Sequence, residues 1–372
     1  MFETIPMMPE DPVLGLSTEF KKLSIPRKVN LGVGIYRDEK GLSTPFKSVQ
    51  TVEKQLAEEM LLKDYLPIEG DTDFIELTKR LVLGDLANDP KIVSLQTVGG
   101  TSALNTTAKL IRAAGVKQIH LPDKTWPNHP AIFEGEGLSL NLYSHLDWAR
   151  LLSLPEKSAI LVHAACHNPT GLDPTKGEWE TFLREAKARN YLLIFDNAYQ
   201  GFGEGLEEDA WAFRESIRRG ITTIITTSFS KNFGLYGERV GLLSIALPTE
   251  NQATKVFSFV KSLIRGVYSN PPLQGQRIIT AILSSETLKA DWEMELETRR
   301  QRIVQVRKDL SKVFPTVNQE KGFFSLLPLS LDQIERLKEE FGLLIVKSGR
   351  INVSGINSDN FEYVTQALRQ VL

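Results

Sequence analysis

Thr222-Thr223-Ile224-Ile225-Thr226-Thr227-Ser228-Phe229-Ser230-Lys231-Asn232-Phe233-Gly234 joins a β-branched run to an abruptly polar end. The run has the length and composition of a buried strand, and the change at Ser228 marks where such a strand leaves its sheet. The same juxtaposition occurs upstream. Tyr191 to Phe195 gives way to Asp196-Asn197-Ala198-Tyr199, and Ala159 to Ala164 gives way to Cys166-His167-Asn168-Pro169-Thr170-Gly171. Gln118 to Leu121 and Gly241 to Ala246 are further runs of strand length.

Helical stretches separate several of these runs. Val49, Val52, Leu56 and Met60 follow helical spacing, as do Leu104, Ala108 and Ile111 just after Gly99-Gly100-Thr101. Strands alternating with helices predict an α/β fold, with a mostly parallel sheet sandwiched between helices. After about residue 298 the pattern changes to a long charged helix, then Gly322-Phe323-Phe324-Ser325. A helix with Ile334, Leu337 and Phe341, a strand over Leu343 to Val346 and a last helix with Phe361, Val364, Leu368 and Val371 complete a smaller α+β domain. Pro6, Pro9 and Pro12 among apolar residues favour an extended N-terminal arm. The expected division is an arm over 1–14, a large domain over 44–298, and a small domain from 15–43 and 299–372.

A chain of 372 residues exceeds what one core usually organises, which agrees with that division. With 44 basic against 46 acidic side chains, a formal charge of -2 gives no electrostatic footprint for nucleic acid or an anionic membrane. The start of the chain lacks a signal-peptide pattern, and no stretch has the length of a membrane span, so a cytoplasmic location is expected. Cys166 is the only cysteine, which excludes an intramolecular disulfide.

Ligands of open parallel sheets bind beyond the carboxyl ends of the strands. There this sequence presents an amide (Asn168), a carboxylate with a phenol (Asp196, Tyr199) and an amine among hydroxyls (Ser228, Ser230, Lys231). Gly99-Gly100-Thr101 at a helix start offers main-chain N–H groups and a favourable dipole to an anion.

These residues resemble the class I pyridoxal-phosphate aminotransferases, in their aspartate and aromatic branch. The resemblance runs nearly end to end. It includes Asp11-Pro12-Val13-Leu14-Gly15-Leu16, Asn30-Leu31-Gly32-Val33-Gly34-Ile35-Tyr36, Tyr65-Leu66-Pro67-Ile68 and Trp126-Pro127-Asn128-His129. It continues through His167 to Gly171, Asp196 to Phe202, Ser228 to Val240, Tyr268-Ser269-Asn270-Pro271-Pro272 and Ser348-Gly349-Arg350-Ile351-Asn352-Val353.

The resemblance implies the type I fold of pyridoxal-phosphate-dependent transferases and a homodimer with shared active sites. It makes Lys231 the covalent anchor of pyridoxal 5'-phosphate and the carrier of the substrate's α-proton. It makes Asp196 the partner of the ring nitrogen, with His129 and His163 orienting the aspartate or flanking the ring. Tyr199 and Asn168 hydrogen-bond the phenolic oxygen, and Trp126 stacks on the ring. Gly99, Gly100, Thr101, Ser228, Ser230 and Arg239 hold the phosphate, joined by Tyr65 from the other subunit. Arg350 grips the substrate's α-carboxylate, Arg265 receives a side-chain carboxylate across the dimer interface, and Gly34, Trp126 and Asn168 line the substrate pocket.

Two arginine clamps imply two carboxylates, hence ping-pong transfer of an amino group from aspartate to 2-oxoglutarate. Aromatic-preferring relatives keep the second arginine, so tyrosine or phenylalanine stays open as the donor. Ile35, Asp64 and Gly237 depart from the common pattern and touch that choice rather than the chemical step. A lyase or decarboxylase on the same scaffold would gain nothing from fixing the α-carboxylate as Arg350 does. A non-catalytic sensor would need a DNA-binding module that the sequence lacks.

Overall fold

The computed structural model of the chain describes residues 1–7, 11, 13 and 15–371. Pro9, Pro12 and Leu14 of the expected arm lie outside the described residues. In chain order the strands are β1 (Val29–Asn30), β2 (Ile92–Val98), β3 (Gln118–Pro122), β4 (Ser139–Tyr143), β5 (Ala159–His163) and β6 (Leu192–Asn197). They continue with β7 (Thr222–Ser228), β8 (Val240–Ala246), β9 (Phe324–Leu326), β10 (Leu343–Leu344) and β11 (Arg350–Asn352). Two compact units result, one of residues 45–168 and 172–301, the other of 1–44, 169–171 and 302–372.

The larger unit is built on a seven-stranded sheet of order β2-β8-β7-β6-β5-β3-β4. Only β8 runs against its neighbours, pairing antiparallel with β2 and β7, while the other pairs are parallel. Alternate residues of a strand face opposite sides, and here both sides are apolar. Ile194 and Ile224 join Leu104, Ala108 and Ile111 of the helix Gly99–Ala113 in one buried cluster. On the other face Phe195 meets Phe213 and Trp179, from the helices Trp211–Arg218 and Lys176–Ala188, at centroid distances of 6.0 and 5.8 Å. A fully covered parallel sheet explains why its strands read as continuous apolar runs.

The smaller unit carries two two-stranded sheets, β1 with β10 and β11 with β9. Arg307, buried, donates to the carbonyls of Gly322 and Phe324 at 2.8 and 2.6 Å and to Glu320 Oε2 at 2.8 Å, fixing the Gly322-Phe323-Phe324-Ser325 turn. The helix Leu331–Phe341 begins with a reciprocal cap between Ser330 and Gln333 and stops at Gly342, whose φ of 60° is the left-handed conformation of a helix end.

Several boundaries move. Helix Lys47–Glu58 ends before Met60, whose side chain is fully exposed, because nothing lies over that position to reward the periodic pattern. The long charged helix already begins at Glu286, and the strand expected over Leu343 to Val346 pairs only at Leu343–Leu344. Strands β2 and β4 were not among the expected runs: Ser94, Gln96 and Thr97 interrupt one, and the other is a half-exposed edge.

Gly241 of β8 sits where a Cβ would come within 2.6 Å of the Thr227 carbonyl oxygen and 2.7 Å of the Gly99 carbonyl carbon. Main chain cannot yield there as a flexible side chain would. Gly241→Ala is expected to cost about 1–3 kcal/mol of overpacking in urea unfolding. Gly135→Ala, where a Cβ meets nothing within 4 Å, should leave stability unchanged or slightly higher.

Candidate active site

At the carboxyl ends of β5, β6 and β7 the larger unit encloses a cavity of about 140 Å³, lined by Gly100, Thr101, Leu104, Trp126, Asn168, Asp196, Ala198, Tyr199, Ser228, Ser230, Lys231 and Arg239. Local devices bring these residues there. Helix Gly99–Ala113 starts directly after β2, and Gly99 makes the corner with a φ of 72°, a value costly for any residue with a Cβ. A Cβ at Gly99 would lie 2.6 Å from Arg239 Nη2, and one at Gly100 would lie 3.0 Å from Ser228 Cβ. The bare glycines therefore leave a hollow between the helix start, the guanidinium and the serine.

Arg239 precedes β8 with a φ of 56°, and its Nη1 donates to Ser230 Oγ at 3.2 Å and to the Tyr236 carbonyl at 3.1 Å. Ser228 Oγ in turn donates to Ser230 Oγ at 3.1 Å. Two hydroxyls, a guanidinium and the first N–H groups of a helix form an arrangement whose chemistry suits an anion.

Asp196 closes the opposite end. It is buried at the end of β6, with Oδ2 3.2 Å from His129 Nε2. Burial alone would raise its pKa, but the hydrogen bond from His129, with the electrostatic attraction of the surrounding His129, His163 and Lys231 side chains, outweighs it and holds the carboxyl below its ordinary value. His129 Nδ1 lies 2.7 Å from Thr125 Oγ1, which lies 3.1 Å from His163 Nε2. A carboxylate only accepts, so His129 Nε2 carries the proton of that contact, and the Thr125 hydroxyl links the other nitrogen of His129 to His163. Burial pushes His163 down to about 3 and His167 well below the usual imidazole range, so both are neutral.

Lys231 Nζ stands 5.0 Å from the centroid of the Tyr199 ring. The loops carrying Asn168 and Tyr199 are each tied by a carboxylate. Asp173 accepts the N–H groups of Cys166 and His167 at 2.8 and 2.9 Å, which stabilises the left-handed Cys166. Buried Asp209 accepts those of Gly201, Gly203 and Glu204 at 2.8, 2.9 and 2.8 Å. Neither aspartate was singled out in the sequence, nor was Thr125. Glu207-Glu208-Asp209 reads as a solvated acidic run, and only the nearby Gly201 and Gly203 hint at main chain needing an acceptor.

Other expected site residues stand elsewhere. Tyr65 is 93% exposed on a loop, and exposed Arg265, in the last turn of helix Glu250–Val267, pairs with Ser269 Oγ. Arg350 and Gly34 belong to the smaller unit. There Arg350 Nη2 donates to the Gly32 carbonyl at 2.8 Å and its guanidinium lies 4.1 Å over the Phe324 ring, against which Gly34 also packs.

Fold and site together define an α/β protein that gathers an amine, a buried carboxylate and an anion cradle at its strand ends. The family model for aminotransferase class I and II matches residues 26–368, and the chain belongs to that family. It is 39% identical to the aspartate aminotransferase of Escherichia coli (strain K12) over the whole of both chains. The solved structure of the aromatic-amino-acid aminotransferase from Burkholderia pseudomallei, covalently bound to pyridoxal phosphate, superposes with a TM-score of 0.96 at 37% identity, covering 100% of this chain and 99% of that one. Cytoplasmic aspartate aminotransferase of Saccharomyces cerevisiae gives 0.95 at 31%, covering 100% and 98%.

The neutral, buried His163 carries a sign. Its pKa is lower in the fold than in the unfolded chain, so between about 3 and 6.5 the unfolded state binds more protons and stability rises with pH. His163→Gln should remove about 1.4 kcal/mol per pH unit from that slope, read from urea midpoints between pH 4 and 6.5.

Proposed function

We propose that this enzyme transfers the amino group of aspartate to 2-oxoglutarate with pyridoxal 5'-phosphate as its cofactor, in the cytoplasm and as a homodimer. The observation that carries the reading is the cavity in which Lys231, Asp196, Tyr199, Asn168 and the Gly99–Arg239 cradle meet. The residues fit the cofactor: bare glycines leave room where a phosphate's oxygens would sit, and the carboxylate at the far end of the cavity is held ionised.

When bound, pyridoxal phosphate supplies an aldehyde for the amino group and a ring that withdraws electrons from the substrate's α-carbon. Lys231 Nζ would hold that aldehyde between turnovers and, once displaced, would take the proton from the substrate's α-carbon and deliver it to the former aldehyde carbon, two bonds away. Asp196 keeps a proton on the ring nitrogen, and His129, braced through Thr125 to His163, keeps Asp196 ionised and aimed. Tyr199 and Asn168 orient the phenolic oxygen, and Trp126 covers one ring face and excludes water. Gly99, Gly100, Thr101, Ser228, Ser230 and Arg239 bind the phosphate, with Tyr65 of a second subunit. The exposure of Tyr65 and Arg265 supports roles across a dimer interface.

Arg350 is assigned the α-carboxylate and Arg265 the side-chain carboxylate, and Gly34 is assigned to substrate binding. The curated relatives that match over the full chain are aspartate aminotransferases, which favours aspartate over an aromatic donor.

Lys231→Ala is expected to lose more than about a thousandfold in turnover while melting as cooperatively as the parent; normal turnover would refute the assignment. Arg265→Ala should lower kcat/KM for aspartate on the order of a hundredfold and spare phenylalanine. Equal loss for both donors would remove Arg265 as the side-chain clamp, and a parent preferring phenylalanine would make the enzyme an aromatic aminotransferase.

A further inference from the structure

A lysine that both anchors a cofactor and carries a proton cannot have its own side chain packed rigidly. Whatever accuracy it needs must come from its main chain. Around Lys231 the main chain is held by Phe229 N–H on the Val240 carbonyl at 3.1 Å, by Gly234 N–H on the Lys231 carbonyl at 3.1 Å and by Phe233 N–H on the Phe229 carbonyl at 3.4 Å.

A further hold on this turn comes from the helix Glu286–Leu310. Trp292, fully buried on that helix, donates its indole Nε1–H to the Asn232 carbonyl at 2.7 Å. Its ring stacks on Phe233, with 4.4 Å between centroids and 6° between planes. Phe233 meets Phe229 edge to face at 5.8 Å, and Phe229 meets Phe74 in the same way at 5.9 Å. Phe229 and Phe233 bracket Ser230-Lys231-Asn232, so the turn is clamped on both sides of the lysine. A buried tryptophan whose only task were filling space would need some acceptor for its N–H. This one takes the carbonyl of the residue next to Lys231.

We propose that Trp292 is a positioning residue for the reaction: through Asn232 and Phe233 it fixes the main chain from which Lys231 swings. The proposal rests on the reading of Lys231 as proton carrier. Trp292→Phe keeps an aromatic ring and removes the N–H, and Phe233→Leu keeps the N–H bond and removes the stack. In both, kcat for aspartate should fall on the order of tenfold with KM within about twofold, since misplacement of a reacting group costs rate rather than binding. The kinetic isotope effect with α-deuterated aspartate should rise as proton transfer slows. Amide hydrogen exchange of segment 229–234, measured on the full chain with and without pyridoxal phosphate, should quicken about tenfold while the other strand ends keep their protection.

Variants that melt earlier yet keep the parent's kcat, isotope effect and exchange at 229–234 would overturn the proposal and reduce Trp292 to core packing. Should Trp292→Phe fail to fold, the Phe233→Leu measurements decide by the same criteria. A parent enzyme with no transamination at all would refute the function reading instead. Exchange at 229–234 would then still support the clamp if it quickens, or overturn it if it does not.

Discussion

A carboxylate buried at a strand end has to be neutralised, protonated or paired, and Asp196 is paired. That requirement organises much of what surrounds it. His129 must present Nε2–H to the carboxylate, and its other nitrogen meets the Thr125 hydroxyl, which also reaches His163. The chain of partners begins on β6 and returns to β5, whose His163 is in register with Asp196 itself. Burial keeps His163 neutral while the carboxylate of Asp196 stays charged, which is the environment an electron-withdrawing cofactor ring requires.

The opposite end of the cavity obeys a different constraint. An anion there needs donors without side chains in the way, and the two glycines meet it by leaving space that a single methyl group would fill. Gly99 and Arg239 both have left-handed main chain. Asp196, Lys231 and Arg239 all line the one cavity.

Much of this was legible in the sequence because it is written locally. The apolar runs ending at Asp196 and Ser228 mark strand ends, and covering a parallel sheet on both faces leaves no polar alternation to confuse the reading. Asn168, Asp196, Tyr199, Ser228, Ser230 and Lys231, which line the cavity, follow such runs, where an open sheet meets its ligand, whereas Trp126 and Arg239 were expected from the resemblance alone. What stayed hidden depends on distant partners. Nothing near Trp292 in sequence reveals that its N–H meets residue 232, and Asp209 in an acidic run gives no sign that it gathers main-chain donors instead of facing water. Strand β2 escaped because its pairing with β8 tolerates Ser94 facing Ser244, two hydroxyls that satisfy each other at 2.8 Å across the sheet.

The reversed strand β8 has a consequence for the order in which the molecule comes into being. In a sheet of parallel strands every beginning lies on the edge away from the ligand, so a residue such as Arg239 reaches the cradle only because its strand runs the other way. That strand pairs with β2, made long before it, and completes the cradle begun at Gly99. On the ribosome, therefore, the helix start at Gly99 emerges early and meets Arg239 only when the chain has been extended through β8, which ends at Ala246 of 372 residues. The two sides of the cradle are thereby joined only after the other six strands of the sheet have been made.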